Sequence, residues 1–482
     1  MAPKIAIIGA GPGGCMLARL LLTQCDCSTT IFEAEASINY RSQGGTLDLR
    51  ANTGLAAIKL AGLWDEFQKY ARYDSESLLV TDKILTTWLR RDGRKTTDGK
   101  LSPGDAPEID RTDLRRMLME SLPHDTVRWG YKLSRVEESS SGLRLHFATG
   151  EVLDGFDLIV GCDGAFSKTR NLLTSEKPYY AGLGGWTMYI PSASTAAPDL
   201  HNFVNRGSVF AYSDGKSLSI QQLSDSSIYV AYYGQHPEDF TQTCDFDAQN
   251  DVEAAKAVLR KELHDWAPQL LDAVEKATTG LVWRNLYQLP VGFTWPHRPG
   301  ITLLGDAAHV MTPFAGIGVN TAFYDAMILT EQIVAYSSSS SAGLGVNGVE
   351  ALGRFVEGYE KALFRHAHAA QRRTEGAKNA MLFTSGAPRT SIESWVLWQA
   401  EEQVPRWGRG VVRVVVQKTR ALLAGVGLIC TGIGMIEEGA GIVSEHAHCL
   451  LRKETSRSFL LRPSTPLECS ASQPSLIETL PR

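Results

Sequence analysis

No run of this 482-residue chain is apolar for long enough to span a bilayer. The nearest approach, residues 421–436, is uncharged but sixteen residues long with four glycines, short of the ~20 that a spanning helix needs. A packed C-terminal helix or apolar loop is expected there, with peripheral membrane contact the lesser alternative. Long basic runs are missing too, and the formal net charge is -5, which argues against a nucleic-acid partner. The eight cysteines show no metal-ligand spacing, so no metal site is expected. Cys25 and Cys27 stand too close for a zinc pair and are expected to border a turn. Without a disulfide framework the thiols suggest a reducing, cytoplasmic setting, and a strand that begins by Lys4 leaves no room for a signal peptide. Internal repeats are absent. Hydrophobic residues at 43% and charged residues at 21% are ordinary globular values, enough for large cores in two or three domains.

Two short stretches far apart in the chain carry most of the information. Lys4-Ile5-Ala6-Ile7-Ile8 runs into Gly9-Ala10-Gly11-Pro12-Gly13-Gly14. A strand, a tight glycine turn and a helix start make a cradle for a dinucleotide pyrophosphate. Far downstream an apolar strand over 300–304 leads into Gly305-Asp306-Ala307-Ala308-His309-Val310-Met311-Thr312-Pro313-Phe314-Ala315-Gly316-Ile317-Gly318-Val319-Asn320. An enzyme that uses only a nicotinamide dinucleotide has no need of that second site. A flavin does, because its ribityl chain and ring must be held far from the pyrophosphate. The pair points to FAD.

The opening βαβ unit spans a strand at 4–8, a helix near 13–22 and a strand at 29–33. Glu33 ends the second strand about 20 residues after the glycine turn, where an acid meets ribose hydroxyls. Residues 40–49 read as a long loop. Arg111 opens a helix with Thr112 or Asp113 as its cap. From residue 182 to 233 short alternating segments indicate an antiparallel sheet, closed by a helical stretch over 252–277. The α/β pattern then returns, with a helix from about Gly318 to Tyr336, a serine linker at 337–341 and a helical stretch over 349–382. The expected fold is therefore α/β: a discontinuous Rossmann-like FAD-binding domain (1–178 and 291–336), an inserted antiparallel-sheet substrate domain (179–290) and a C-terminal helical region (349–450). A tail rich in Ser, Pro and Thr, 455–482, is expected to be disordered.

Five ordered motifs then carry a resemblance. They are the Gly9–Gly14 turn, Arg41-Ser42-Gln43-Gly44-Gly45-Thr46-Leu47-Asp48-Leu49, Pro107-Glu108-Ile109-Asp110-Arg111-Thr112-Asp113-Leu114-Arg115, Asp157-Leu158-Ile159-Val160-Gly161-Cys162-Asp163-Gly164 with Ser167 and Arg170, and the 305–320 segment. Over about residues 4–385 the chain resembles the class A FAD-dependent aromatic hydroxylases, and within them most closely the tetracycline-inactivating flavin monooxygenases. The resemblance implies a monooxygenase that uses FAD, NADPH and O2 to oxidise an aromatic or polycyclic secondary metabolite through a flavin hydroperoxide. It also implies site roles. Gly9, Gly11 and Gly14 would cradle the pyrophosphate, and Glu33 the adenosine ribose, although Ala34 stands where the family often has Arg. Arg41 would touch the coenzyme, Thr46 and Asp48 the flavin, and Arg111 its phosphate–ribityl region. Asp163 would contact cofactor or coenzyme, or only cap the next helix. Asp306 would bind a ribityl hydroxyl. Pro313, Gly316, Gly318, Val319 and Asn320 would set backbone N–H groups beside the flavin's pyrimidine edge. His309 reads as structural, and no side chain reads as a nucleophile.

Other readings stay open. A dehydrogenase or reductase without oxygen insertion would share most motifs. A halogenase is partly echoed by Trp186-Thr187-Met188-Tyr189-Ile190-Pro191, with Met188 where a second Trp belongs, and prenyl-protein carriers share the fold without redox work. The inserted sheet carries Trp186, Tyr189, Phe210, Tyr212, Tyr229, Tyr232 and Tyr233, of which a minority should line the pocket. Thr187, Ser208 and Tyr229 stand where the tetracycline-inactivating branch has Gln, Arg and His, which weakens tetracycline as the substrate.

Overall fold

The computed structural model describes residues 2–25, 27–38, 44–73, 77–91, 106–140, 142–341 and 348–400. Arg41, the 421–436 stretch and the 455–482 tail lie outside them, as does the C-terminal helical region beyond residue 400.

Strand Lys4–Ile8 is buried at four of its five residues, the continuous apolar pattern of a strand covered on both faces. It lies at the centre of a five-stranded parallel sheet in the order Ile301–Leu303, Leu158–Gly161, Lys4–Ile8, Ser28–Glu33, Val127–Trp129. Ile8 pairs with Gly161, and Gly161 with Leu303, so three neighbouring strands end level. Their outgoing loops, 9–14, 162–170 and 304–320, leave from one edge, the carboxyl edge where α/β sheets bind ligands. Helix Pro12–Gln24 packs beside helix Gly318–Ser341.

The second large sheet has seven strands in the order Thr279–Gln288, Tyr179–Ile190, Ile228–Tyr233, Lys216–Gln222, Ser208–Ser213, Leu78–Thr81, Thr87–Arg91. It differs from the expected insert in two ways. Residues 78–91 contribute two strands from inside the first part of the FAD-binding domain, and the Ser208–Ser213 junction with Leu78–Thr81 is parallel. Pairing between segments this distant in sequence has no local turn to announce it.

Alternation divides the sheet's two faces. Trp186, Val209, Ala211, Leu218, Ile220, Val230 and Tyr232 pack with helices Val252–Glu262 and Pro268–Lys276 in one core. The single helical stretch expected over 252–277 is two helices: the first ends at Glu262, and Pro268 takes the first position of the second, where its missing N–H is not needed. The opposite face carries Phe210 and Tyr212, which pack with Ala377, Met381, Leu382 and Trp395. Those residues come from the end of helix Val349–Lys378, the π-turn Asn379–Phe383 and helix Ile392–Ala400.

Serines 337–341 continue helix Gly318–Ser341 rather than forming a linker. Ser339 Oγ donates to the Ala335 carbonyl at 2.9 Å, so a hydroxyl that would compete with the helix is satisfied within it. Cys25 and Cys27 form a disulfide, contrary to the expected free thiols, while Cys15, Cys162 and Cys244 are free.

Candidate active site

The three loops at the carboxyl edge meet side by side. A Cβ on Gly9 (φ +107°) would come within 2.4 Å of the Cys162 carbonyl oxygen, and one on Gly14 within 2.2 Å of the Gly9 oxygen. These two glycines are required by the protein's own packing. Gly11 is different: nothing lies within 4 Å of where its Cβ would be. It caps helix Pro12–Gln24 without a side-chain acceptor, and no acid occupies the first turn. The helix N-terminus is thus left with unclaimed donors and an open face, which is what an anionic pyrophosphate needs. Gly13 closes the arrangement, since its Cβ would meet Leu304 at 2.8 Å and Ala322 at 3.3 Å. That contact brings the first motif against the 305–320 segment.

Glu33 is 8% exposed. Its carboxylate accepts from Ala10 N at 2.6 Å and Glu35 N at 2.8 Å, which holds it beside the glycine turn with lone pairs to spare. Glu35, which the sequence did not single out, forms a buried ion pair with Arg115 at 2.6 Å.

Asp306 follows Gly305, whose φ is +64°. Its side chain keeps solvent access, yet it is ringed by protein. This crowding raises its carboxyl above the usual carboxylate range, with His309 and Arg111 acting in the opposite direction. A solvent-accessible carboxylate at this sheet edge is suited to accept hydroxyl donors. His309, read from the sequence as structural, is buried with Asp325: its Nε2 lies 2.6 Å from Asp325 Oδ2. Burial alone would lower the imidazole pKa, but the Asp325 carboxylate outweighs it and the net shift is upward.

The turn Pro313–Ala315 is followed by Gly316 in the left-handed region at φ +64°. Neither Gly316 nor Gly318 has an atom within 4 Å of its missing Cβ, so this face is open as well. Val319 is half-buried in the first turn of the following helix. Asn320 departs from the expectation at its side chain. Its Oδ1 accepts from Arg50 N (2.8 Å), Thr53 Oγ1 (3.2 Å) and Gly54 N (3.2 Å), and its Nδ2 donates to the Asp48 carbonyl (2.7 Å). The side chain fastens the 48–54 loop, leaving only backbone to face outward.

Asp163 is engaged by its own loop, and the short helical turn Arg170–Leu172 that follows has Thr169 rather than Asp163 at its N-cap. The Asp163 carboxylate accepts from Ser167 Oγ (2.6 Å), Lys168 N (2.7 Å), Thr169 N (3.1 Å) and Thr169 Oγ1 (3.2 Å), so its oxygens serve the loop itself. Asp110, rather than Thr112 or Asp113, occupies the N-cap of helix Arg111–Glu120.

Asp48 lies in strand Thr46–Asp48, paired antiparallel with Glu108–Asp110. Burial pushes its carboxyl up, opposed by Arg50, Arg91 and Arg72. Arg111 N donates to the Gly45 carbonyl at 3.2 Å, while its exposed guanidinium acts electrostatically on Asp306, Tyr229 and Tyr233. The guanidinium therefore stands between the cofactor loops and the seven-stranded sheet. On that sheet Tyr189 and Tyr229 are cross-strand partners with ring centroids 5.3 Å apart, and Tyr233 lies 6.4 Å from Phe314. Burial raises the Tyr229 and Tyr233 phenols, which keeps them neutral donors. Gln221, beside Tyr229, is the residue that the sequence reading missed. Alternation through 217, 219 and 221 was the available signal.

Among the described residues no group of His, Cys, Asp or Glu is arranged to hold a metal ion, and no helix is long and apolar enough to cross a membrane. A surface cleft of about 580 Å³ near Leu143, Phe156, Arg298 and Gly300 lies at the amino edge of the parallel sheet, away from these loops.

Residues 3–344 match a family model described as an FAD binding domain. Monooxygenase asqM of Emericella nidulans is 30% identical over 435 residues, covering 79% of this chain and 94% of the relative. Monooxygenase penA of Penicillium thymicola is 28% identical over 418 residues, covering 77% and 93%. The crystal structure of tetracycline destructase Tet(55) matches with a TM-score of 0.60 at 18% identity, over 83% of this chain and 97% of that one, a likeness of fold alone. With two glycine-lined openings at one sheet edge and a family match across both, the chain belongs to the FAD-binding domain family and is an FAD-dependent monooxygenase.

Proposed function

We propose that this enzyme uses NADPH and O2 to hydroxylate, epoxidise or oxidatively rearrange an aromatic or polycyclic secondary metabolite. The observation that carries the reading is the juxtaposition of the open carboxyl-edge loops with a sheet face lined by Tyr189, Tyr229 and Tyr233. In this reading Gly9, Gly11 and Gly14 admit the pyrophosphate to the helix N-terminus, Glu33 meets the adenosine ribose, and Asp306 accepts from a ribityl hydroxyl. Thr46, Asp48 and Arg111 border the ring and ribityl region. Backbone N–H groups around Pro313, Gly316, Gly318, Val319 and Asn320 face the pyrimidine edge, where preorganised donors stabilise negative charge. Asp163 acts through its loop rather than by direct contact. Arg41 meets the coenzyme phosphate, for which a permanently charged guanidinium is suited.

The flavin, once bound and reduced, supplies the oxygen chemistry. The chain's task is to orient the substrate and keep water out. Neutral Tyr229 and Tyr233 hydroxyls can donate to substrate oxygens, and the ring faces favour an aromatic body. The likeness of fold to a tetracycline-inactivating enzyme does not extend to its substrate in this reading, because Thr187, Ser208 and Tyr229 give a less charged pocket.

Incubation with NADPH and candidate phenolic or polycyclic metabolites under ¹⁸O2 tests the proposal. One labelled oxygen in the product for each NADPH consumed is expected. Oxidation of NADPH with unlabelled product would replace the reading with that of a dehydrogenase or reductase.

A further inference from the structure

Side chains of one hairpin fasten the two-stranded ribbon of Thr46–Asp48 and Glu108–Asp110 to the substrate sheet. Thr46 and Asp110 are register partners in that ribbon, and the hairpin of strands Lys216–Gln222 and Ile228–Tyr233 grips both. Gln221 Nε2 donates to Thr46 Oγ1 at 3.2 Å. Ser224 donates to Asp110 Oδ2 through its N–H at 2.9 Å and its hydroxyl at 2.7 Å. Arg72 reinforces the far side, reaching the Gln222 carbonyl at 2.9 Å and Asp110 Oδ1 at 3.0 Å. Tyr229, the cross-strand partner of Gln221, closes over Gly45. A Cβ on Gly45 would lie 2.6 Å from Gln221 Oε1 and 2.8 Å from the Tyr229 ring.

These contacts are not equivalent. The Asp110 carboxylate is 5% exposed and doubly bonded to the hairpin turn, which makes it a permanent joint. Gln221 is half-buried on the tyrosine-bearing face. The same Nε2 also donates to Ser208 Oγ at 3.2 Å, so one amide serves both the ribbon and the sheet. A ligand on this face that offers a carbonyl or hydroxyl oxygen to that amide competes directly with Thr46.

We propose that Gln221 is a positioning residue, a latch through which occupancy of the tyrosine-lined face frees the Thr46 end of the ribbon, while Asp48 stays tied to Asn320. This rests on the monooxygenase reading above, in which Asp48 and Arg111 border the flavin. With the latch closed, the ribbon is held and reduction in the absence of substrate is slow. With the amide drawn away, the Thr46 end loosens and the coenzyme gains access. A neutral hydrogen bond of this kind biases such an equilibrium by about two- to tenfold.

The test uses the full FAD-bound chain with Gln221→Ala, Thr46→Val and the double variant. Hydrogen exchange is followed at residues 44–49 and 108–112, and stopped-flow traces record flavin reduction by NADPH without substrate. Each single variant is expected to speed exchange and reduction about two- to tenfold, and the double variant no further than either, as for two halves of one contact. Unchanged exchange in both singles, or fully additive effects, would overturn the latch. If Gln221→Ala does not fold, hydrogen exchange in Thr46→Val, which replaces the hydroxyl by a methyl group of similar size, decides alone. Wild-type flavin that NADPH cannot reduce would refute the monooxygenase reading instead, and the exchange data would still decide the latch.

Discussion

Asp306 combines solvent access with a carboxyl raised by the protein crowded around it. A group in that position gains most from a partner that brings hydroxyl donors to it. Asp306→Ala should therefore give a folded protein with little flavin. Hydrogen bonds to a charged group are worth about 1.5–3 kcal/mol, so FAD affinity should fall by about one to two decades. An unchanged flavin-to-protein ratio after dilution and gel filtration would remove Asp306 from the site. His309 makes a different prediction from the same motif. Its folded pKa lies above the ordinary imidazole value because of Asp325. Its contribution to stability is then fully present below about pH 6.5 and is lost as pH rises through the raised folded value. Urea denaturation of wild-type and His309→Asn across that window should show a decline in the wild type that the variant lacks. The difference in their surroundings was legible in the sequence, because an acid at a glycine-rich helix entry and a histidine inside an apolar one are placed differently. Asp163 was not legible, since bonding within its own loop and ligand binding require the same residue type at the same place.

The short strand Thr46–Asp48 could not stand alone, and Asn320, some 270 residues away, supplies its anchor. Asn320→Ala removes one acceptor that serves three donors and one donor to the Asp48 carbonyl. Leaving buried partners unsatisfied costs about 1–3 kcal/mol, so the urea midpoint should drop and FAD should bind more weakly with it. A variant that loses FAD at unchanged stability would instead assign the Asn320 side chain to the cofactor. The sequence placed Asn320 correctly at the helix start but attributed to it only a backbone role, because a side chain's partner across 270 positions leaves no local trace. The strand at 78–81 escaped for the same reason, since it joins the sheet through Ser208–Ser213; the strand at 87–91 follows it there as its local antiparallel partner.

Across the whole molecule, the cofactor loops come from one sheet and the tyrosine-lined face from another, with Arg111 and Phe314 between them. Flavin reduced while that space is empty and wet discharges its electrons unproductively. NADPH oxidation should therefore be slow without organic substrate and rise by orders of magnitude when a suitable aromatic compound binds, as gating by conformational steps requires. Fast oxidation unaffected by any aromatic ligand would contradict the gated arrangement.

Sequence by itself determined the parts whose causes are local. The glycine turn, the apolar strands, the helix starts and the acid at 306 follow from backbone freedom, apolar patterning and the chemistry of helix ends, all of which act within a few residues. Tertiary structure decided which of these meet. Level strand ends brought three loops to one edge. Parallel pairing recruited residues 78–91 to the substrate sheet. Side-chain contacts committed Asn320 and Asp163 to the scaffold and set Gln221 against Thr46. Such outcomes depend on packing between segments tens to hundreds of residues apart, and a hydrogen bond across that distance is fixed by the fold as a whole rather than by either residue's neighbours.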